Sequence, residues 1–163
     1  MEAIHNNIKY LFFWNGIFSN WYPSIFVVDN IEFNCVEQYM MYMKAMTFND
    51  ISTAQTILNT NHPKKQKELG RSVKNYDDNV WSNIRYETVK KGLREKFIQN
   101  PPLKEYLLKY YGYEFVESSP VDRVWGTGYI DHKCIENIDN WGLNLLGKML
   151  TELSDEFYIE TLL

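Results

Sequence analysis

Two short apolar runs near the N-terminal end, Ile25-Phe26-Val27-Val28 and Ile31-Glu32-Phe33, flank Asp29-Asn30. Apolar runs separated by two residues that tolerate left-handed backbone predict a β-hairpin. Asn34 then reads as the N-cap of a helix through about Thr47, and Asn49-Asp50 opens a second helix that His62-Pro63 stops. Pro63 suits the first turn of a short third helix and Gly70 its C-terminal exit. Asp77-Asp78 starts a long helix, because Val80, Trp81, Ile84, Val89, Leu93 and Phe97 recur at helical spacing. Asn100-Pro101-Pro102 breaks it. Leu103 to Tyr110 forms a further helix closed by Gly112, Tyr113 to Glu117 a short strand, and a polar loop follows. A last helix from about Leu143 carries Leu146, Leu150, Leu153 and Phe157 on one side. The class expected is α+β: a helix-rich single domain over residues 1–163 with a small β-hairpin and short-strand component.

Composition narrows the function more than the fold. A formal net charge of -4 argues against a surface that tracks duplex DNA, yet a small nucleotide needs only two or three convergent cations. Aromatics make up 16% of the chain, enough both to fill a small core and to line a pocket where a planar base stacks. Cys35 and Cys134 lie far apart and match no zinc spacing, so free thiols in a reducing compartment are expected. The apolar runs fall short of the roughly 20 residues a membrane span requires. No targeting segment is visible at the N-terminus, which points to the cytosol, of a cell or of an infected host.

Two carboxylates stand out. Glu37 lies at the start of a helix with Lys44 seven residues on, so their backbones are about 10 Å apart along one face. Long side chains there could engage different parts of one ligand. The plainer reading is a capping box, since Asn34 and Glu37 have cap-to-third-residue spacing. Asp122 poses the same choice, because Ser119-Pro120-Val121-Asp122 also looks like a helix start. Beside it, however, Trp125-Gly126-Thr127-Gly128 sets an indole next to two glycines, which let backbone approach a ligand closely. His5, His62 and His132 are scattered, and no Gly-x-Ser-x-Gly elbow or His-Glu-x-x-His segment occurs. Arg71 and Arg85 are the better candidates for anion contacts, since guanidinium groups bind phosphate bidentately.

Taken in order, these segments resemble the NADAR family, the YbiA-like N-glycosidases. Phe18-Ser19-Asn20-Trp21-Tyr22-Pro23 is similar to that family's FSNF(Y)P opening. Cys35-Val36-Glu37-Gln38-Tyr39 with Lys44-Ala45 resembles its SVEHYFQAQKA helix, and Gly70-Arg71 its GR step. Trp81, Arg85, Leu93, Lys96-Phe97 and Asn100-Pro101 resemble its W…R…AL…KF…NP helix. Glu117-Ser118-Ser119-Pro120, Asp122 and Trp125-Gly126-Thr127-Gly128 are similar to EASPxDxxWGxG, and Gly142 to Gly147 to GxNxLG. The likeness spans about residues 12–153. Gln38 replaces the usual His, and Met40, Met41 and Met43 replace Phe, Gln and Gln. Thr127 stands where many members have Asp, and Ser154 where an Arg is common. Tyr129 to Trp141 does not align. These changes are expected near the pocket, and Ser154 to remove a surface or phosphate contact.

The resemblance implies a hydrolase with catalytic carboxylates Glu37 and Asp122 and no metal or cofactor. It implies substrate contacts from Phe18, Ser19, Asn20, Lys44, Arg71, Arg85, Trp125, Gly126, Gly128 and Asn144. Lys44 and Arg71 would hold phosphate and Trp125 would stack on sugar or base. It implies two substrate classes: phosphorylated ribosylamino-pyrimidines of early riboflavin synthesis, and ADP-ribosylated guanine, free or within nucleic acid. Both reactions break a ribosyl C–N bond through an oxocarbenium-like transition state, which carboxylates suit. No membrane and no protein partner is expected. A non-catalytic binder of ADP-ribose or NAD metabolites would keep Trp125, Arg71 and Asn144 without needing Glu37, and a purely structural protein would need none of them.

Overall fold

A computed structural model describes residues Met1–Leu163. The chain forms two compact units: Met1–Ser19 with Pro102–Leu163, and Asn20–Pro101. The α+β class read from the sequence is the one observed, with helices predominating over two small sheets.

The first unit is built on a three-stranded sheet of order β1-β2-β5, from β1 (Glu2–His5), β2 (Ile8–Phe13) and β5 (Glu114–Glu117). β1 and β2 pair antiparallel, while β2 and β5 run parallel, Tyr10 opposite Glu114 and Phe13 opposite Glu117. The β1–β2 turn is Asn6-Asn7, both with positive φ, 50° and 65°. This hairpin has the same signature as the Asp29-Asn30 hairpin but escaped the sequence reading. The reason lies in Tyr10-Leu11-Phe12-Phe13, all buried. A strand covered on both faces shows a continuous apolar run instead of alternation. One face packs Tyr10, Phe12 and Val116 against Cys134, Tyr129, Ile138 and Trp141. Toward the other, Phe13 meets Phe18 at 5.7 Å, and Phe18 meets Phe115 at 5.0 Å and Tyr106 at 5.5 Å.

The outer edge of β5 is closed by side chains. Thr151 Oγ1 accepts from Phe115 N at 3.0 Å, and Asn144 accepts from Glu117 N at 2.9 Å and donates to Phe115 O at 3.1 Å. An edge strand so capped cannot recruit another strand. Asn144 precedes α7 (Leu145–Thr161), whose Leu146, Met149, Leu150, Leu153 and Phe157 are all buried. α5 (Pro101–Leu108) leads into this unit, and α6 (Asp131–Cys134) with a 3₁₀ segment (Ile135–Asn140) fills the stretch the sequence reading left unaligned.

The second unit centres on α1 (Val36–Thr47), packed by α2 (Ile51–Leu58), α3 (Pro63–Arg71) and α4 (Asp78–Gln99). The predicted hairpin is present as β3 (Phe26–Val28) and β4 (Ile31–Phe33), with Asp29 and Asn30 at positive φ. Asp50, His62 and Asp77 cap α2, α3 and α4 as their residue types allow.

Several expectations give way. Gly70 lies inside α3 because a Cβ there would strike the Met41 thioether, so packing rather than helix exit requires it. On α4, Trp81, Val89, Leu93 and Phe97 are buried, but Val80 and Ile84 are exposed. No helix starts at Ser119; residues 118–128 are turns and bends. No helix is long and apolar enough to cross a membrane.

Candidate active site

The sequence-predicted residues fall into two sets, one in each unit. In the second unit the first eight residues of α1 read Val-Glu-Gln-Tyr-Met-Met-Tyr-Met, and all but Met43 are buried. A helix buried nearly all round should be apolar. Glu37 and Gln38 break that rule, and each exception needs a reason.

Gln38 has a structural one. Its Oε1 accepts from Asn34 N at 2.8 Å, while its amide nitrogen donates to the carbonyls of Ile57, Leu58 and Thr60 at 3.1–3.3 Å. It thereby closes the start of α1 onto the end of α2. The capping-box expectation for Glu37 is thus corrected: Cys35, not Asn34, is the N-cap residue, and Gln38 makes the backward contact. The Asn34 side chain instead accepts from Gln66 at 3.0 Å. Glu37, in the same first turn, is buried at 4% exposure. Its backbone N–H donates to Asn20 O at 2.9 Å, which fixes Asn20 beside it. Asn20 is buried and its Oδ1 has no hydrogen-bond partner. A buried acceptor in that state costs about 1–3 kcal/mol, which a donor on a ligand would recover.

Lys44 lies half-buried two turns along α1. Burial pushes its ammonium below the ordinary lysine range, and the Arg71 guanidinium pushes the same way, while Glu37 and Asp78 oppose them. That balance places Glu37, Arg71 and Asp78 within electrostatic reach of Lys44. The Lys44 ammonium stands 4.5 Å from the centroid of the Tyr76 ring, and Tyr76 OH donates to Asp78 at 2.8 Å. Arg85 acts on the same Tyr76 phenol. Lys44 and Arg85 therefore both act on one exposed tyrosine, and Arg71 acts on Lys44. Tyr76 and Asp78 were missed as site residues, because nothing in their spacing sets them apart from a turn and a helix start.

Lys96 was also passed over, although it lies in one of the aligned motifs. It is buried, and burial pushes its ammonium down to about 7, with Cys35 pulling the other way. Cys35 itself donates to Gln66 Oε1 at 3.2 Å, and burial raises its thiol to about 11. Both cysteines are free thiols, as expected.

In the first unit the predicted residues mostly build the loop that carries them. Asp122 accepts from Val124 N and Trp125 N, both at 2.9 Å, pinning a tight turn. Gly126 passes so close to Glu117 O that a Cβ would lie 2.7 Å from it, and Gly128 has φ +82°. Leu143, Asn144, Leu145 and Leu146 donate in sequence to the carbonyls of Arg123, Gly126, Val124 and Trp125, so this loop rests on the entry to α7. The Asn144 amide is occupied by β5, and the Phe18 ring by Phe13, Tyr106 and Phe115. Ser19 is buried and its N–H donates to Gly16 O at 2.9 Å. Trp125 is half-buried. The loop after β2, with Phe18 and Ser19, and the loop after β5, with Asp122 to Gly128, leave from the carboxyl ends of a parallel strand pair. Open parallel sheets bind ligands at that end.

The family model described as the NADAR domain matches residues 12–158. The chain belongs to the NADAR family. Among its NADAR relatives, an N-glycosidase, R617 of Acanthamoeba polyphaga mimivirus, is 36% identical over 163 residues, spanning 91% of this chain and 96% of the relative. A riboflavin biosynthesis protein, VVA0006 of Vibrio vulnificus, is 29% identical over 142 residues, 87% of this chain but 35% of that protein. The NMR structure of the Escherichia coli protein YbiA superposes with a TM-score of 0.78 at 27% identity, covering 93% of this chain and 86% of that one. The enzyme class read from the sequence, a hydrolase of N-glycosyl compounds, is the class that such NADAR relatives carry in their names.

Within the NADAR frame, the departures noted in the sequence have mostly structural outcomes. Gln38 clasps α1 to α2, and Met41 fills the space over Gly70. Thr127 is fully buried, its hydroxyl bonding Tyr129 N and Tyr129 O at 3.1 Å each. Ser154 is buried in α7, so that position offers no surface contact.

Proposed function

We propose that this chain hydrolyses the N-glycosidic bond of a phosphorylated ribosylamino-pyrimidine of the kind formed early in riboflavin synthesis. The observation that carries the reading is Glu37: a carboxylate buried in the first turn of α1, with Lys44 in its electrostatic reach and Arg71 acting on the same lysine. The riboflavin biosynthesis name borne by a relative supports the substrate class.

The bond broken is C1′–N. Its electron pair leaves with the base nitrogen, which takes a proton, and an oxocarbenium character develops on the sugar. Water adds its oxygen to C1′ and gives up its proton, so the products are a free amine or base and ribose phosphate. Glu37 steadies the cationic sugar and receives the proton from water, a role worth about 10²–10⁴-fold. Lys44, Arg71 and Arg85 hold the phosphate. Asn20 Oδ1 accepts a sugar hydroxyl.

A second reading has its own observation. Lys44, Arg71 and Arg85 together supply one cation more than a monophosphate requires, which favours the diphosphate of an ADP-ribosyl-guanine. Incubation with each substrate class, with release of base and sugar phosphate followed by chromatography, decides between them. The first reading expects faster release from the ribosylamino-pyrimidine phosphate. Faster release from the ADP-ribosyl substrate establishes the second, and release from neither overturns both.

A further inference from the structure

The sheet edges of this protein are treated unequally. β5 is sealed by Thr151 and Asn144. The outer edge of β3 is sealed by Gln99, whose Oε1 accepts from Val27 N and whose amide donates to Val27 O, both at 2.8 Å. β1 is the opposite edge of the first unit's sheet, and no hydrogen bond reaches its outward backbone groups. Its bonding to β2 fixes which groups those are. Met1 and Phe12 exchange two bonds of 2.8 Å, so in an antiparallel ladder Ala3 with Tyr10 and His5 with Ile8 do likewise. Glu2 and Ile4, opposite Leu11 and Lys9, hold the intervening positions and turn N–H and C=O away from β2. Proteins commonly blunt an open edge with proline, lysine or a bulge. The sequence of β1, Glu-Ala-Ile-His, has no proline or lysine, and Ile4 is 73% exposed.

From this edge we infer that the chain pairs with a second copy of itself, β1 against β1, antiparallel about a twofold axis. The register follows from the edge itself. Glu2 set opposite Ile4 of the partner subunit gives four hydrogen bonds and leaves no outward N–H or C=O of Glu2 or Ile4 unpaired. Setting Glu2 on Glu2 or Ile4 on Ile4 gives only two between the strands, and the former opposes like charges. Charge agrees with the favoured register. Leu11, Glu2, the partner's Ile4 and the partner's Lys9 then form one row on one face. Carboxylate and ammonium flank the isoleucine, their Cα atoms about 10 Å apart, within reach of two long side chains. Lys9 is held at this sheet, its ammonium 5.7 Å from the centroid of the Tyr113 ring. Ile4 passes from solvent to a place between a glutamate and a lysine stem, which cover it with methylenes. Each edge is used once, so assembly stops at two. An interface this short makes a weak, transient dimer.

The test is sedimentation velocity and amide NMR on the full chain from about 10 µM to about 1 mM, the range suited to so small an interface. The expected result is a monomer–dimer equilibrium, with the amides of Glu2 and Ile4 among those that shift most with concentration. Ile4→Pro removes an outward N–H that the ladder to β2 does not use, and should weaken association by at least about tenfold with little change in Tm. Glu2→Lys should weaken it about threefold by setting like charge against Lys9, and adding Lys9→Glu should restore what was lost. That charge exchange decides the matter even where proline disturbs the hairpin. A monomer throughout the range leaves the edge to a different partner and overturns the inference. So do oligomers larger than two, a dimer indifferent to a folded Ile4→Pro chain, or a charge loss that the exchange does not restore.

Discussion

Glu37 and Asp122 look alike in the sequence, each an acid close behind a residue that caps helices, yet the molecule treats them in opposite ways. Asp122 takes two backbone N–H groups into one oxygen and makes a turn. Glu37 sits in the first turn of α1, where capping was expected, and Gln38 does that work instead. The difference extends to the surroundings. Around Glu37, a helical frame presents side chains whose charges act on each other, Lys44 on Arg71 and Asp78, and Tyr76 on Arg85. Around Asp122, most polar groups are matched by backbone, so the motif residues there mainly shape a loop. Motif residues therefore differ in kind: some are buried among charged side chains, and others hold a loop in shape.

The largest effect that would sharpen this contrast is expected at Glu37. Glu37→Gln keeps the volume and removes the charge, and should lower kcat by at least about a hundredfold with little change in KM or Tm. Single-turnover rates and a thermal melt on one preparation check it; a rate within a few-fold of wild type would return Glu37 to a structural role. Lys44→Met is next. It should raise KM for a phosphorylated substrate by roughly tenfold, about 1.4 kcal/mol, and leave kcat within a few-fold. Because the Lys44 ammonium is depressed, the wild-type KM should begin to rise below the pH at which an ordinary lysine loses its proton. KM profiles from pH 7 to 10 on phosphorylated and dephosphorylated substrate separate this from general unfolding.

Lys96 tests the interior of the same unit through stability. Its amine is protonated in the unfolded chain up to the usual lysine value of 10.5 but is neutral in the folded chain above about 7. Between those values the unfolded state binds more protons, so stability rises with pH, by at most about 1.4 kcal/mol per pH unit for one group. Below about 7 the charged form is buried and that gain is absent. Lys96→Met should flatten the rise in urea midpoints between pH 7 and 10; an unchanged slope would refute the assignment. The smallest effect is expected at Asp122. Asp122→Asn retains a carbonyl oxygen for the turn and should change kcat by less than about threefold, whereas Asp122→Ala should cost about 1–2 kcal/mol of stability. A loss with Asn as large as that of Glu37→Gln would make the two carboxylates equals after all.

Much of the frame was legible because it depends on neighbours in the chain. The β3–β4 hairpin, α1 to α4 and the breaks at Pro63 and Pro101 follow from turn residues, caps and helical spacing. β2 was not, since burial on both faces erased its alternation, and α6 lies in a stretch with no motif to align. Of the candidate site, Glu37, Lys44 and Arg71 stood out through their order along the chain. Tyr76, Asp78 and Lys96 were not, because what distinguishes them is what they face.

The sequence by itself determined the family, the helix-rich class and the residue types available for chemistry, since order, spacing and capping are local properties. Only the tertiary structure decided which of those residues are buried and what they pair with. That choice rests on burial and on pairing. Gln38 bonding across to the end of α2, and the β5 backbone engaging Asn144, are contacts between distant segments, and no spacing along the chain encodes them.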